Sequence, residues 1–261
     1  MPNPARRANG VCRFRSPQPE VRSRFSIRTL DMKLVLFDID GTILWSDGAG
    51  RRALHHALRE TFGTIGPEDY WFDGKTDPQI VRELMRLAGV DDAEIERKLP
   101  QAIERYVERL RIELDDPAHD AAMLPGIPEL LDTLDARDDV ILGLLTGNVV
   151  PGARAKLARV GIDFERFAIG AFGSDHEVRP ELPAIAQRRC RETLDLHLPG
   201  ERIIVIGDTP ADLTCGISIG ARAVGVATGR YSVAELQEYR PHAVFADLSE
   251  TDAVVESILA A

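Results

Sequence analysis

Residues 33–42, KLVLFDIDGT, run from a strand-forming apolar stretch directly into two aspartates and a Gly-Thr pair. The apolar part has the length and composition of a buried strand. In an open α/β sheet, ligands bind beyond the carboxyl ends of the strands, which is where Asp38 would lie. Asp40 can point into the same crevice, and Gly41 allows the tight turn out of the strand. The stretch therefore predicts a buried strand that carries two carboxylates to one crevice.

Two carboxylates this close repel each other unless they share a cation or a proton. Their hard oxygen atoms are ligands that Mg²⁺ prefers, so the stretch also predicts a metal site. One alternative is a simple acidic turn after a strand. A calcium loop of the EF-hand kind is excluded, because that loop needs a glutamate at its twelfth position, where this chain has Ala49.

From Met32 onward, strand patterns alternate with helix patterns, which is typical of an α/β fold with helices on both faces of a parallel sheet. Gly, Asp or Pro follows most of the strand patterns. The predicted strands are residues 33–37, 140–145, 167–172, 202–206, 223–226 and 243–245. We therefore expect a Rossmann-like parallel sheet as the core of the protein.

The stretch between the first two of these strands is different, because its apolar residues recur at helical spacing. The alternative is an ordinary long crossover, but a single crossover helix needs far fewer residues. The sequence thus predicts an inserted all-helical cap domain at residues 47–123, with hinges near Ser46 and at residues 120–126. The α/β catalytic core would then comprise residues 32–46 and 124–261.

Local signals predict where the cap helices begin and end. Asp77 can cap a helix whose first position suits Pro78, and Gly89 then closes it. Residues 92–98 and 101–114 have helical patterns on either side of Pro100, which should break or kink the helix there.

Residues 1–31 carry seven arginines against two acidic residues and almost no apolar periodicity, which predicts a disordered leader. Two interpretations of this segment remain. Translation begins at Met32, which opens directly into the first strand, or the leader is an Arg-rich, acid-poor targeting peptide. Since the leader has a net charge of +5 and the whole chain −10, residues 32–261 carry −15.

This acidic body argues against nucleic acid as the main partner, although a metal and a few cations can still favour a phosphate locally. No apolar run approaches the ~20 residues of a membrane helix, so no membrane partner is expected. The three cysteines form no CxxC pair, which favours a reducing cytoplasm over disulfides or a zinc site. A small phosphorylated metabolite is the expected partner, and both a monomer and a homodimer remain open.

Two further strand ends carry polar residues. Thr146, Gly147 and Asn148 end the second strand, where a hydroxyl and free N–H groups at a helix start would cradle a phosphate. Asp208 follows the fourth predicted strand, and Asp212 lies one helical turn further on the same side. Taken alone, the first segment is also a common turn, and the two aspartates also fit a helix cap.

Together, the order and placement of these three segments resemble the haloacid dehalogenase superfamily. Its first motif is DxDGT, its second is a Thr or Ser that ends a strand, and its fourth is GDxxxD. The resemblance covers essentially residues 33–248. Within the superfamily, three segments resemble the phosphoglycolate phosphatase-like branch, namely residues 72–77 (FDGKTD), 207–212 (GDTPAD) and 225–229 (GVATG).

The resemblance implies a role for each matching residue. Asp38 would attack phosphorus and form an aspartyl-phosphate. Asp40 would protonate the leaving oxygen, then activate water, and its backbone carbonyl would touch Mg²⁺. Asp208 would be the second metal carboxylate, and Asp212 would support the metal or the cationic residue. The phosphoryl oxygens would be held by three residues of the second motif, namely Thr146, Gly147 and Asn148.

The third motif of the superfamily is a Lys, often followed by Pro, and this chain departs from it. The matching segment, residues 176–182, holds Arg179 at that position. Arg keeps the positive charge and adds a bidentate fork for phosphate, but it is longer and planar. Either Arg179 does the work of the lysine and links Asp38 to the phosphate, or the site is weakened. Lys75, on a cap loop, could meet the substrate or could be an ordinary surface lysine.

Three functions follow. The first is an Mg²⁺-dependent phosphatase acting on a small, phosphoglycolate-like metabolite, since the dehalogenases lack the second aspartate that Asp40 supplies. The second is a β-phosphoglucomutase-like phosphomutase. The third is a non-catalytic binding protein on the same fold, which only Arg179 favours.

Overall fold

The computed structural model describes residues 31–261, so the predicted leader lies outside the described residues except for Asp31. A six-stranded parallel sheet forms the core, in the spatial order β5-β4-β1-β6-β7-β8. The strands are β1 (Lys33–Phe37), β4 (Val140–Thr146), β5 (Ile169–Phe172), β6 (Ile203–Gly207), β7 (Arg222–Val226) and β8 (Ala243–Phe245). The predicted fold class is confirmed, although the third predicted strand begins two residues later than expected.

Strand β1 lies between β4 and β6. Its last residue, Phe37, directly precedes Asp38 at the edge of the sheet. Phe37 lies opposite Leu144 in β4 and Ile206 in β6. The chain segments that follow these three strands therefore leave the sheet at the same level. This register brings Asp38 and Asp208 to one edge of the sheet. Ligands of open parallel sheets bind at this edge, beyond the carboxyl ends of the strands.

Side chains along β1 alternate between two buried cores, because successive residues of a strand face opposite sides of the sheet. Val35 and Phe37 pack in the core that includes α4 (Ile127–Asp135), α5 (Val150–Arg159) and α9 (Thr251–Ala260). Leu34 and Leu36 pack in the opposite core. That core includes Leu182, Ala186 and Cys190 of helix α6 (Leu182–Leu194). Two short helices complete the fold, α7 (Pro210–Cys215) and α8 (Val233–Gln237).

An all-helical cap is inserted between β1 and β4. It consists of α1 (Ala49–Phe62), α2 (Asp77–Leu87) and α3 (Asp92–Asp115), whose apolar faces share one hydrophobic core. Two short antiparallel strands, β2 (Leu44–Trp45) and β3 (Ala122–Met123), pair where the chain enters and leaves the cap. The domain boundaries at residues 47 and 123 stay a prediction.

The expected break at Pro100 is wrong, because helix α3 runs without interruption from Asp92 to Asp115. Pro100 lies on the exposed side. The opposite face buries Ile95, Ala102 and Tyr106 against the rest of the cap core. Apolar contacts on both sides of the proline thus outweigh the one backbone hydrogen bond that it removes.

The start of helix α2 also differs from the expectation, since Thr76 and not Asp77 is its N-cap. The Thr76 hydroxyl accepts a hydrogen bond from the Gln79 N–H at 3.2 Å. Asp77 is the first helical residue, and its carboxylate accepts the Val149 N–H of the core at 2.8 Å. A side chain expected to serve its own helix therefore ties the cap to the core.

Further contacts dock this part of the cap on the catalytic core. The Asp77 N–H donates to the Gly147 carbonyl at 2.8 Å, and the Thr76 hydroxyl donates to the Glu177 carbonyl at 2.8 Å. Arg82 forms an ion pair with Glu177 at 2.6 Å. The cap thus lies closed over the ends of β1 and β4. Among residues 31–261, no helix is both long and apolar enough to cross a lipid bilayer.

Candidate active site

Three buried aspartates meet beyond the ends of β1 and β6. One carboxylate oxygen from each of Asp38, Asp208 and Asp212 lies within 4.8 Å of the other two. Gly41 makes room for this cluster, because its φ of +80° favours glycine and a Cβ atom there would overlap the Asp208 carboxylate. Thr42 donates to the same carboxylate at 3.2 Å.

The aspartates of the cluster are buried, and too little positive charge surrounds them to balance their negative charge. Burial raises the pKa of Asp38 to about 6, although the nearby Arg179 guanidinium lowers it. The pKa of Asp208 is raised well above its usual range, first by burial and then by the charges of Asp212 and Asp38. Carboxylates crowded in this way are stabilised as anions by a hard divalent cation. The donor set therefore fits Mg²⁺.

Arg179 is the buried cation of the cluster. It begins a single 3₁₀ turn, Arg179–Glu181, directly before helix α6. Its guanidinium pairs with Asp38 at 3.2 Å and also with Asp212. Burial alone would lower the pKa of Arg179, but these two carboxylates outweigh it and raise the pKa. The Arg179 Nε atom is buried and has no hydrogen-bond partner among the described residues.

The end of β4 and the segment after it supply the other wall of the site. Thr146 is fully buried, and the Asn148 side-chain amide donates to its hydroxyl at 2.8 Å. The same amide donates to Asp40 Oδ2 at 2.8 Å. Position 147 has no room for a side chain, because a Cβ atom on Gly147 would overlap the Lys75 carbonyl of the docked cap. The structure thus brings all three predicted phosphate-binding residues to the site, and their contact with phosphate stays a prediction.

Asp40 lies beside the cluster of three aspartates and lines the cavity. Its side chain is 41% exposed, whereas the lysine that binds it, Lys156, is 5% exposed. Lys156 was not among the predicted site residues, because none of the motifs includes it. A signal existed, since Lys156 follows Ala153 by one helical turn and so lies near the buried face of α5.

A cavity of about 460 Å³ opens between the strand ends and the cap. Trp45 and Trp71 line it and are both more than half exposed. Arg230 of the core lies 3.3 Å from the centre of the Trp71 ring, so the cap and core also meet at the mouth of the cavity. Lys75 lines the cavity too, but its ammonium pairs with Glu83 at 2.6 Å within the cap. A contact between Lys75 and substrate stays a prediction.

A buried carboxylate, a buried cation and a second carboxylate facing one cleft, beside aspartates that could hold a metal ion, are the parts that a phosphoryl-transfer enzyme needs. Comparison with known proteins agrees with this class. A sequence model of haloacid dehalogenase-like hydrolases matches residues 35–216. The chain therefore belongs to the haloacid dehalogenase-like hydrolases, and it is a phosphatase.

Three relatives each cover most of this chain. A 5'-nucleotidase of Pseudomonas aeruginosa is 27% identical over 229 residues, which are 85% of this chain and 95% of that protein. A hydrolase from Pseudomonas syringae has a TM-score of 0.65 at 23% identity, covering 87% of this chain and 99% of its own. A predicted phosphoglycolate phosphatase from Haemophilus somnus 129PT has a TM-score of 0.62 at 22% identity, covering 86% and 98%. At these identities, the two structures show a shared fold.

Proposed function

We propose that this protein is an Mg²⁺-dependent phosphatase that hydrolyses a small phosphorylated metabolite through an aspartyl-phosphate on Asp38. The observation that carries the proposal is the convergence of Asp38, Asp208 and Asp212 within 4.8 Å at one sheet edge. Arg179 lies 3.2 Å from Asp38, and Asp40 faces the same cavity. Parts of the chain more than 160 residues apart thus meet around one nucleophile.

In the first step, the Asp38 carboxylate attacks phosphorus and the bond to the leaving oxygen breaks, while Asp40 gives that oxygen its proton. In the second step, Asp40 takes a proton from water, which attacks phosphorus and releases phosphate and the free Asp38 carboxylate. Arg179 holds a phosphoryl oxygen and orients Asp38. Mg²⁺, held by Asp38, Asp208, Asp212 and the Asp40 carbonyl, would supply positive charge to the phosphoryl oxygens.

The substrate class follows from the size and lining of the cavity. Phosphoglycolate is the expectation from the sequence, and it would occupy only part of about 460 Å³. The aromatic rings of Trp45 and Trp71 can also hold a larger, planar leaving group. The 5'-nucleotidase among the relatives adds nucleoside monophosphates as a second class to test.

The test is phosphate release from a panel of phosphorylated metabolites that contains phosphoglycolate, nucleoside monophosphates and sugar phosphates, with Mg²⁺ and with a chelator. We expect Mg²⁺-dependent release, and we expect Asp38→Asn to abolish it, because an amide is not a competent nucleophile. The matched control is Asp132→Asn, a surface aspartate of α4 that pairs with Arg166. Mass spectrometry of acid-quenched protein should find the phosphoryl group on the peptide that contains Asp38.

Two outcomes would contradict the proposal. Interconversion of sugar phosphates without net release of phosphate would make the protein a phosphomutase. Binding of Mg²⁺ with no phosphorylation of Asp38 and no turnover of the panel would make it a non-catalytic binding protein.

A further inference from the structure

Lys156 is a buried cation that none of the sequence motifs includes. Its ammonium lies 2.6 Å from Asp40 Oδ2 and 2.7 Å from Asn148 Oδ1. Burying a lysine is costly unless its charge is paired and hydrogen-bonded. These two partners offset that cost, and both of them belong to the walls of the active site. The position of Lys156 is therefore tied to the geometry of Asp40.

The two oxygen atoms of Asp40 have different surroundings. Oδ2 accepts hydrogen bonds from Lys156 at 2.6 Å and from the Asn148 amide at 2.8 Å. Oδ1 accepts, among residues 31–261, one long hydrogen bond of 3.5 Å from the Ser46 hydroxyl. One oxygen is thus held by a charged and a neutral donor, while the other keeps its capacity for a substrate atom.

The cap covers this arrangement from the other side. A Cβ atom at Gly50, in the first turn of α1, would lie 3.4 Å from the Lys156 ammonium and 3.8 Å from the Tyr106 hydroxyl. Asp77 of the cap also acts on Lys156 electrostatically. Lys156 therefore lies where the docked cap meets the core, directly behind the carboxylate of Asp40.

We propose that Lys156 is a positioning residue that, with Asn148, holds Oδ2 of Asp40 so that Oδ1 exchanges the proton with the leaving oxygen. This inference rests on the proposed phosphatase activity. Held at one oxygen, the Asp40 carboxyl has one orientation towards the cleft. Without Lys156 it rotates among several, and proton transfer to the leaving oxygen is lost while attack by Asp38 remains. Positioned general acids contribute about 10²–10⁴-fold to such steps.

The leaving group makes this role measurable. The phenol of 4-nitrophenyl phosphate is acidic enough to leave as the phenolate without a proton, whereas the much less acidic phenol of phenyl phosphate needs one. We expect Lys156→Met to lower kcat/KM at least tenfold more for phenyl phosphate than for 4-nitrophenyl phosphate. Because kcat/KM reports the transfer to Asp38, slow hydrolysis of the phosphoenzyme does not mask the effect.

Two further variants complete the experiment. Arg154→Met changes an exposed cation of the same helix, paired with Glu165, and should leave both rates unchanged. Lys156→Arg keeps a cation and should restore part of the phenyl phosphate activity. If Lys156→Met does not fold, Lys156→Gln, whose side chain is one atom shorter, should give the same leaving-group signature.

The outcomes separate this inference from the proposed function. A wild-type protein that hydrolyses neither ester fails as a phosphatase. A wild type that hydrolyses both, with Lys156 variants that lose the same factor for both esters, keeps the phosphatase and overturns the role of Lys156.

Discussion

Two opposing effects act on the pKa of Asp38. Burial raises its pKa to about 6, and the Arg179 guanidinium at 3.2 Å acts against that rise. As the proposed nucleophile, Asp38 must be ionised to attack phosphorus, so the surrounding positive charge would decide its activity. Arg179 is the permanent part of that charge, because a guanidinium stays protonated at any working pH.

We predict that Arg179→Ala lowers turnover at least tenfold, since it removes the cation that pairs with Asp38 and Asp212. Arg179→Lys should keep more activity than the alanine variant, because an ammonium restores the charge without the fork. Steady-state kinetics with each variant provide the measurement. Arg188→Ala, an exposed arginine of α6, is the control. If turnover of Arg179→Ala equals that of the control, Arg179 has no role in catalysis.

Asp77 gives a prediction about stability and pH. Burial raises its pKa to about 6, from an ordinary value of 3.8, against the lowering effects of Lys156 and the Val149 N–H. A raised pKa in the folded state means that the unfolded state loses its proton first as the pH rises. The contribution of Asp77 to stability is therefore fully present below about pH 4 and is lost as the pH rises through about 6, a total loss of roughly 3 kcal/mol.

Asp77→Asn cannot titrate, so its free energy of unfolding should gain on the wild type as the pH rises from 4 to 7. Urea unfolding at several pH values provides the measurement. Asp69→Asn, an exposed aspartate of the cap, should show no such trend. A constant difference between Asp77→Asn and wild type across this range would contradict the prediction.

At the scale of elements, the loop before α2 decides how closely the cap approaches the core. A Cβ atom at Gly74 would lie 2.5 Å from the Ala211 Cβ of helix α7 and 3.2 Å from the Thr209 hydroxyl oxygen. Gly74 also has a φ of +71°. A side chain there would both strain the backbone and push the cap loop away from the segment that carries Asp208.

We predict that Gly74→Ala lowers kcat/KM at least tenfold, because the closed position of the cap loop is blocked. Gly89→Ala is a matched control in the same cap, with a φ of +79° and no neighbour within 4 Å of the added Cβ. Both variants should lose about 1 kcal/mol of stability from backbone strain. Equal activity of the two variants would show that the contact with α7 does not matter.

At the scale of the whole molecule, the site concentrates negative charge where three chain segments meet. Asp38, Asp208 and Asp212 repel one another, and this repulsion acts against the folded state when no cation is bound. A ligand that binds the folded protein stabilises it in proportion to its affinity and concentration. Binding of a metal ion at these aspartates would therefore be coupled to folding.

We predict that Asp208→Asn is at least as stable as the wild type in a chelator, because one buried charge is removed. With Mg²⁺ and beryllofluoride, the melting temperature of the wild type should rise, and that of the variant should not. Thermal unfolding under both conditions checks both halves. Equal rises for wild type and Asp208→Asn would exclude Asp208 as a metal ligand.

Much of the fold was readable from the sequence, because its signals are local. The apolar run before Asp38 and the strand ends before Thr146 and Asp208 are each specified within about ten residues. Because the carboxyl ends of parallel strands meet at the same edge of a sheet, these three segments are expected to lie together at that edge. Boundaries were less exact where local and tertiary preferences differ, as at Pro100, where packing of the cap core keeps α3 continuous.

The sequence by itself determined the α/β core, the inserted helical cap and the aspartates that meet at the sheet edge. Tertiary structure alone decided that Lys156 lies behind Asp40 and that Asp77 binds the Val149 N–H. The physical reason is the range of the interactions. A strand followed by a carboxylate is a local pattern, whereas the partner of a buried charge is chosen by packing between segments up to 116 residues apart.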